Sequence, residues 1–138
     1  MREILHATSV AIAGRGLLLR GASGSGKSGI ALDLMARGAE LIADDRTIVT
    51  LCDGLLILSV PPALRGLIEA RGLGLLKAQN VQDVALAAVV DLDVAETHRL
   101  PPTRKTRILG VTVPLLHYSA SEYFPAGLVQ YLKEGRQE

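Results

Sequence analysis

The amino-acid sequence predicts a mixed α/β domain, a β-sheet built around one phosphate-binding loop and the helix that follows it. Three observations carry this. Residues 21–28 read Gly21-Ala22-Ser23-Gly24-Ser25-Gly26-Lys27-Ser28, the G-x-x-x-x-G-K-[ST] pattern that cradles a phosphate between a strand and a helix. Helical patterning is confined to residues 28–37 and 121–133, whereas short apolar and β-branched runs fill most of the rest. Asp53-Gly54, between two such runs, is a strong hairpin signal. A doubly wound domain alternates strand and helix throughout. Here one helix follows the loop and hairpins then dominate, so the sheet is expected to be mixed.

The elements follow in order. Glu3–Ile12 reads as strand with a break at Ala7–Ser9, and Gly14-Arg15-Gly16 as a turn. Gly16-Leu17-Leu18-Leu19-Arg20 reads as a buried strand entering the loop. Ser28–Arg37 forms a helix with Ile30, Leu32, Leu34 and Met35 as its apolar positions and Gly38 as its stop. Residues 39–43 are a short apolar strand ending in Asp44-Asp45. Residues 46–52 and 55–60 are the hairpin arms, stopped by Pro61-Pro62. Residues 63–68 read as a short helical turn or an irregular piece and Arg71-Gly72-Leu73-Gly74 as a glycine-kinked loop. Residues 83–92 suit a central strand, 98–105 a loop and 107–116 one last strand. The terminal helix, 121–133, is expected to be capped by Ser119 or Ser121.

At 138 residues the chain is expected to be one domain, 1–138, large enough for a real core. With no Trp, one Phe and three Tyr, that core must be aliphatic. A net charge of +1 gives no broad field for nucleic acid, and the basic residues cluster only locally at Arg99, Arg104, Lys105 and Arg107. No apolar run reaches the roughly 18 residues a membrane span needs, and no signal-peptide pattern opens the chain, so a cytoplasmic protein with no membrane partner is expected. Cys52, the single cysteine, lies in an apolar stretch and is expected to be a small core residue.

The loop can be read residue by residue. Its glycines let backbone N–H groups turn inward around a phosphate. Lys27 supplies a positive charge for the β/γ oxygens, and the Ser28 hydroxyl is placed for Mg²⁺. The helix adds its positive dipole end. Next, Leu41-Ile42-Ala43-Asp44-Asp45 delivers two carboxylates at a strand's end. One can hold Mg²⁺ or its waters and the other can take a proton from an attacking hydroxyl. Taken alone, Asp-Asp is also an ordinary turn, Glu69 an ordinary loop carboxylate and His6 an ordinary core histidine.

Leu5-His6, the Gly21–Ser28 loop, the segment Arg37 to Asp45 and Ile68-Glu69-Ala70-Arg71-Gly72-Leu73-Gly74 together resemble the catalytic domain of the HPr kinase/phosphorylase family. The order and separations of His6, Lys27, Asp45 and Glu69 follow that family's pattern, from about residue 4 to 116. The resemblance implies a fold related to phosphoenolpyruvate carboxykinase. It implies an ATP- and Mg²⁺-dependent serine kinase acting on an HPr-like phosphocarrier protein, and a homo-hexamer. By match, Asp45 resembles the proton acceptor for the target serine, His6 the histidine supporting it, and Lys27 the phosphate-binding lysine. Ser28 and Glu69 resemble the Mg²⁺ ligands, with Asp44 beside them. Arg99 matches the later catalytic arginine, with Arg104 as the second choice. By this resemblance the chain is expected to be the catalytic domain without the family's N-terminal regulatory domain. The Pro-Gly-Arg-Asn segment used for dephosphorylation, expected near Val113–Tyr118, is not in the sequence. This resembles the short α-proteobacterial forms and implies a kinase with little phosphorylase activity. A small-molecule kinase or plain NTPase on the same scaffold, and a nucleotide sensor without turnover, are the alternatives.

Overall fold

A computed structural model describes all residues, 1–138. Its elements are β1 (Arg2–Leu5), β2 (Ala7–Ile12), β3 (Arg15–Arg20), α1 (Lys27–Ala36), β4 (Glu40–Ala43), β5 (Thr47–Cys52) and β6 (Leu55–Ser59). A 3₁₀ turn (Pro62–Leu64) is followed by β7 (Leu67–Ala70), β8 (Gly74–Lys77), β9 (Val84–Ala95), β10 (Arg104–Ile108), β11 (Val111–Tyr118) and α2 (Phe124–Glu134).

One nine-stranded mixed sheet runs β1-β5-β6-β9-β3-β2-β4, and β7-β8 forms a separate two-stranded ribbon. The long strand β9 joins the parts. Val84 and Ala85 pair antiparallel with β6, while residues from Leu86 to Asp91 pair parallel with β3. Further along, β9 pairs parallel with β11, which closes a hairpin with β10. Alternation along β3 explains the layering, since successive side chains point to opposite faces. Leu17 and Leu19 enter a core with Leu34 of α1 and Leu128 and Leu132 of α2. Leu18 enters a second core with Ile42, Val49, Leu56 and Leu58, so the β5–β6 half of the sheet curls over that face. At Gly16 a Cβ would lie 2.9 Å from Ala85 O and from Leu58 Cδ1, so the junction of β3, β6 and β9 admits no side chain there.

The sheet, the phosphate-loop helix and its stop are as expected. Gly38 (φ 103°) ends α1 in a Schellman arrangement, with Ala39 N–H on Leu34 O and Gly38 N–H on Met35 O, both 3.0 Å. Several boundaries differ. The first break falls at His6, where the chain passes from pairing with β5 to pairing with β3 and β4. Arg15 and Gly16 belong to β3, and Ala13-Gly14 makes the turn. Residues 63–68 split into the 3₁₀ turn and the start of β7. The glycine-kinked loop is the tip of the β7–β8 hairpin. The single strand 107–116 is two, divided by Leu109-Gly110, both at positive φ (47° and 78°) as a two-residue hairpin turn requires. The turn has a leucine where asparagine or aspartate usually stands, so composition hid it. Neither Ser119 nor Ser121 caps α2; its N-cap is Tyr123, with no side-chain bond. Cys52 is exposed, because β5 leaves both cores before the Asp53-Gly54 turn.

Candidate functional site

β3 ends where the loop begins, and the loop runs directly into α1. Gly24 and Gly26 hold φ 82° and 100°, in the left-handed region glycine enters without strain. At Gly21 a Cβ would lie 2.7 Å from Ser25 Oγ, so the loop closes on itself there. Lys27 is buried, and its ammonium donates to Gly21 O (2.9 Å) and Ala22 O (3.2 Å). No side chain caps the N-terminus of α1, which leaves its first N–H groups for an anion. The Ser25 hydroxyl is buried in the same loop with no partner, a polar group that a phosphate oxygen would satisfy.

Asp44 is the hub. Its Oδ1 accepts from Ser28 Oγ (2.7 Å) and Thr8 Oγ1 (3.1 Å), and its Oδ2 accepts the Glu69 N–H (2.9 Å). This one carboxylate therefore joins the first turn of α1, the start of β2 and the β7–β8 hairpin. Thr8, fully buried, also accepts the Asp45 N–H at 3.1 Å. Asp45 itself sits at φ 64°, unusual for a residue with a Cβ, and this turns its side chain toward His6. His6 Nδ1 lies 3.2 Å from Asp45 Oδ1, and its Nε2 lies 3.3 Å from Ser23 Oγ. With the proton on Nδ1, the imidazole donates to Asp45 and accepts from Ser23.

A cavity of about 660 Å³ lies over these groups, lined by Lys27, Ser28, Asp44, Asp45, Glu69 and Arg71 among others. Hydroxyl and carboxylate oxygens are the hard donors Mg²⁺ prefers. No three acidic, histidine or cysteine side chains converge closely enough to hold a metal alone. The set therefore fits a cation that takes one or two carboxylates plus phosphate oxygens and water.

The structure thus brings together His6, residues 21–28, Asp44, Asp45 and Glu69. It does not bring Arg99 to them. Arg99 stands in the connection between β9 and β10 and lines a different cavity. Arg104, at that same cavity, is engaged with Glu96 at 2.9 and 3.2 Å. Two residues escaped the sequence reading. Thr8 gave a faint signal as a polar residue in an apolar strand. Asp93, two residues beyond the β3–β9 pairing, accepts the Ala22 N–H at 2.9 and 3.2 Å and pins the start of the loop. Its signal was an acid at the carboxyl end of a central parallel strand, where α/β sheets bind ligands.

A family model described as HPr Serine kinase C-terminal domain matches residues 1–117. A protein named HPr kinase/phosphorylase from Lacticaseibacillus casei strain BL23 is 40% identical over 100 residues, 67% of this chain and 31% of its own length. One of the same name from Clostridium kluyveri strain ATCC 8527 is 32% identical over 120 residues, 87% of this chain and 34% of its own. The chain thus spans about a third of these relatives. A solved structure titled Hpr(Ser) kinase/phosphatase from Coxiella burnetii superposes with TM-score 0.80 at 23% identity, over 95% of this chain and 94% of that one. No helix is long and apolar enough to cross a membrane.

Proposed function

The chain belongs to the HPr serine kinase C-terminal domain family, and from that premise we propose that it moves the γ-phosphoryl group of ATP to a serine hydroxyl of an HPr-like phosphocarrier protein in the cytoplasm. The observation that carries this reading is the continuous chain Ser28–Asp44–Thr8–Asp45–His6, which couples the phosphate loop to a carboxylate held by an imidazole. A protein that only senses nucleotide needs no such base.

In this reading the loop N–H groups and Lys27 hold the triphosphate. Ser28, with Asp44 or Glu69, would hold Mg²⁺, which when bound neutralises phosphate charge. The serine oxygen bonds to the γ-phosphorus as the bond to the ADP oxygen breaks, and the serine proton passes to Asp45. His6, donating to one Asp45 oxygen, leaves the other for the incoming hydroxyl. Most of the acceleration then comes from positioning and charge stabilisation. Arg99 takes no step within one chain. The homo-hexamer implied by the resemblance belongs to this proposal as well.

The test is to incubate the chain with ATP, Mg²⁺ and a purified phosphocarrier, and to locate the phosphate by mass spectrometry. Phosphoserine on the carrier is expected. ATP turnover that ignores the carrier would favour the small-molecule kinase or NTPase. Nucleotide binding with no turnover at saturating carrier would favour the sensor.

A further inference from the structure

The β9–β10 connection, the end of β11 and α2 enclose a second cavity, of about 320 Å³, which the proposed chemistry does not use. One part of its wall is apolar, with Leu115, Leu116, Phe124 and Leu128; another is basic, with Arg99, Arg104 and Arg136. Glu96 is the only acid in the lining. Its side chain is 9% exposed and is already committed to Arg104 and to the His98 N–H. Three arginines less one glutamate leave the lining at +2 with neutral histidines, against +1 for the whole chain. Arg99 makes no hydrogen bond or ion pair, and Arg136 spends one donor on Pro101 O. Gly127 of α2 also lines the cavity, and a Cβ there would meet nothing within 4 Å. The missing side chain is part of what keeps the space open.

Uncommitted guanidinium donors beside an apolar wall recognise an anionic oxygen head on an apolar body. We infer that this cavity binds an organic anion, with a carboxylate or phosphate-ester head on Arg99 and Arg136 and an aryl or alkyl body against Leu116 and Phe124. The space equals that of roughly ten water molecules in the liquid, room for a molecule with one aromatic ring. This site is independent of the phosphate loop.

The experiment is calorimetric titration of the full chain with benzoate, phenyl phosphate, inorganic phosphate and phenol. It is done with the loop saturated by a non-hydrolysable ATP analogue and Mg²⁺, and repeated in Lys27→Ala. One aryl anion per chain should bind at least tenfold more tightly than inorganic phosphate or phenol. Benzoate or phenyl phosphate, whichever is tighter, identifies the head group. Gly127→Leu fills the cavity and should weaken binding at least tenfold with an unchanged circular dichroism spectrum. Arg136→Ala, at an exposed position, should weaken it at least threefold and decides the matter if Gly127→Leu does not fold. The inference is overturned if neither aryl anion binds, if inorganic phosphate binds equally well, or if the folded variants bind like the parent.

Discussion

Asp45 is held in place by two neighbours, with its N–H on Thr8 and its carboxylate on His6, and its backbone sits at φ 64°. Asparagine tolerates that φ and keeps the shape, but it is a far poorer proton acceptor. Asp45→Asn should therefore lower carrier phosphorylation by roughly 10²-fold or more while ATP affinity is retained; steady-state kinetics beside a nucleotide titration checks both. If Asp44→Asn were the dead variant and Asp45→Asn active, the two roles would be exchanged. Thr8→Val removes the buried hydroxyl joining the two aspartates, so that it no longer donates to Asp44 or accepts the Asp45 N–H. A loss of about 1 kcal/mol is expected in urea unfolding, the usual net worth of a hydrogen bond, since the exposed Asp45 can turn to water. The identities of Lys27, Ser28 and the two aspartates were legible in the sequence because each belongs to a local pattern. Thr8 and Asp93 were not. Their partners lie 36 and 71 residues away, and only the sheet brings them together.

Among the elements, the hairpins separate what was legible from what was not. Asp53-Gly54 announced its turn, whereas Leu109-Gly110 makes an equivalent one with a residue that no turn rule selects. The β7–β8 hairpin looked like a kinked loop because its strands are four residues each, and it matters because it delivers Glu69 to Asp44. At the end of β9, Glu96 ties the β9–β10 connection to β10. Its pKa is lowered to about 2, first by the hydrogen bonds from Arg104, against the opposing effect of burial, and then by the His98 N–H and ring and the Arg104 charge. A carboxyl whose folded pKa is depressed stabilises the fold above its unfolded pKa and loses that contribution as pH falls toward the folded value. Unfolding midpoints of the parent should therefore drop between about pH 4.5 and 2 more steeply than those of Glu96→Gln. Parallel curves for the two proteins would show that the pair does not contribute.

At the level of the whole molecule, the reaction should run one way. Dephosphorylation in the resembling family uses a Pro-Gly-Arg-Asn segment, and β11 leads here through His117 and Tyr118 into α2 without one. Serine-phosphorylated carrier, Mg²⁺ and millimolar phosphate should release pyrophosphate far more slowly than the forward reaction proceeds; comparable rates would show the segment to be dispensable. The parallel pairing of β3 with β9 has a further consequence, in time rather than in space. Arg20 finds Asp91 only 71 residues later. At about 5–20 residues per second, a growing chain displays the β2–β3 hairpin for roughly 4–14 s before its central partner is synthesised. Leu17, Leu18 and Leu19, all fully buried in the finished fold, lack the cover that β9 gives them for that interval. A ribosome-stalled chain ending at residue 83 should be cut by protease within β3 and bound by chaperones, and one carrying β9 clear of the ribosome should resist both. The strand that bears the phosphate loop is thus made early and secured late, and newborn copies are at their most vulnerable while the nucleotide site already exists as sequence but not yet as shape.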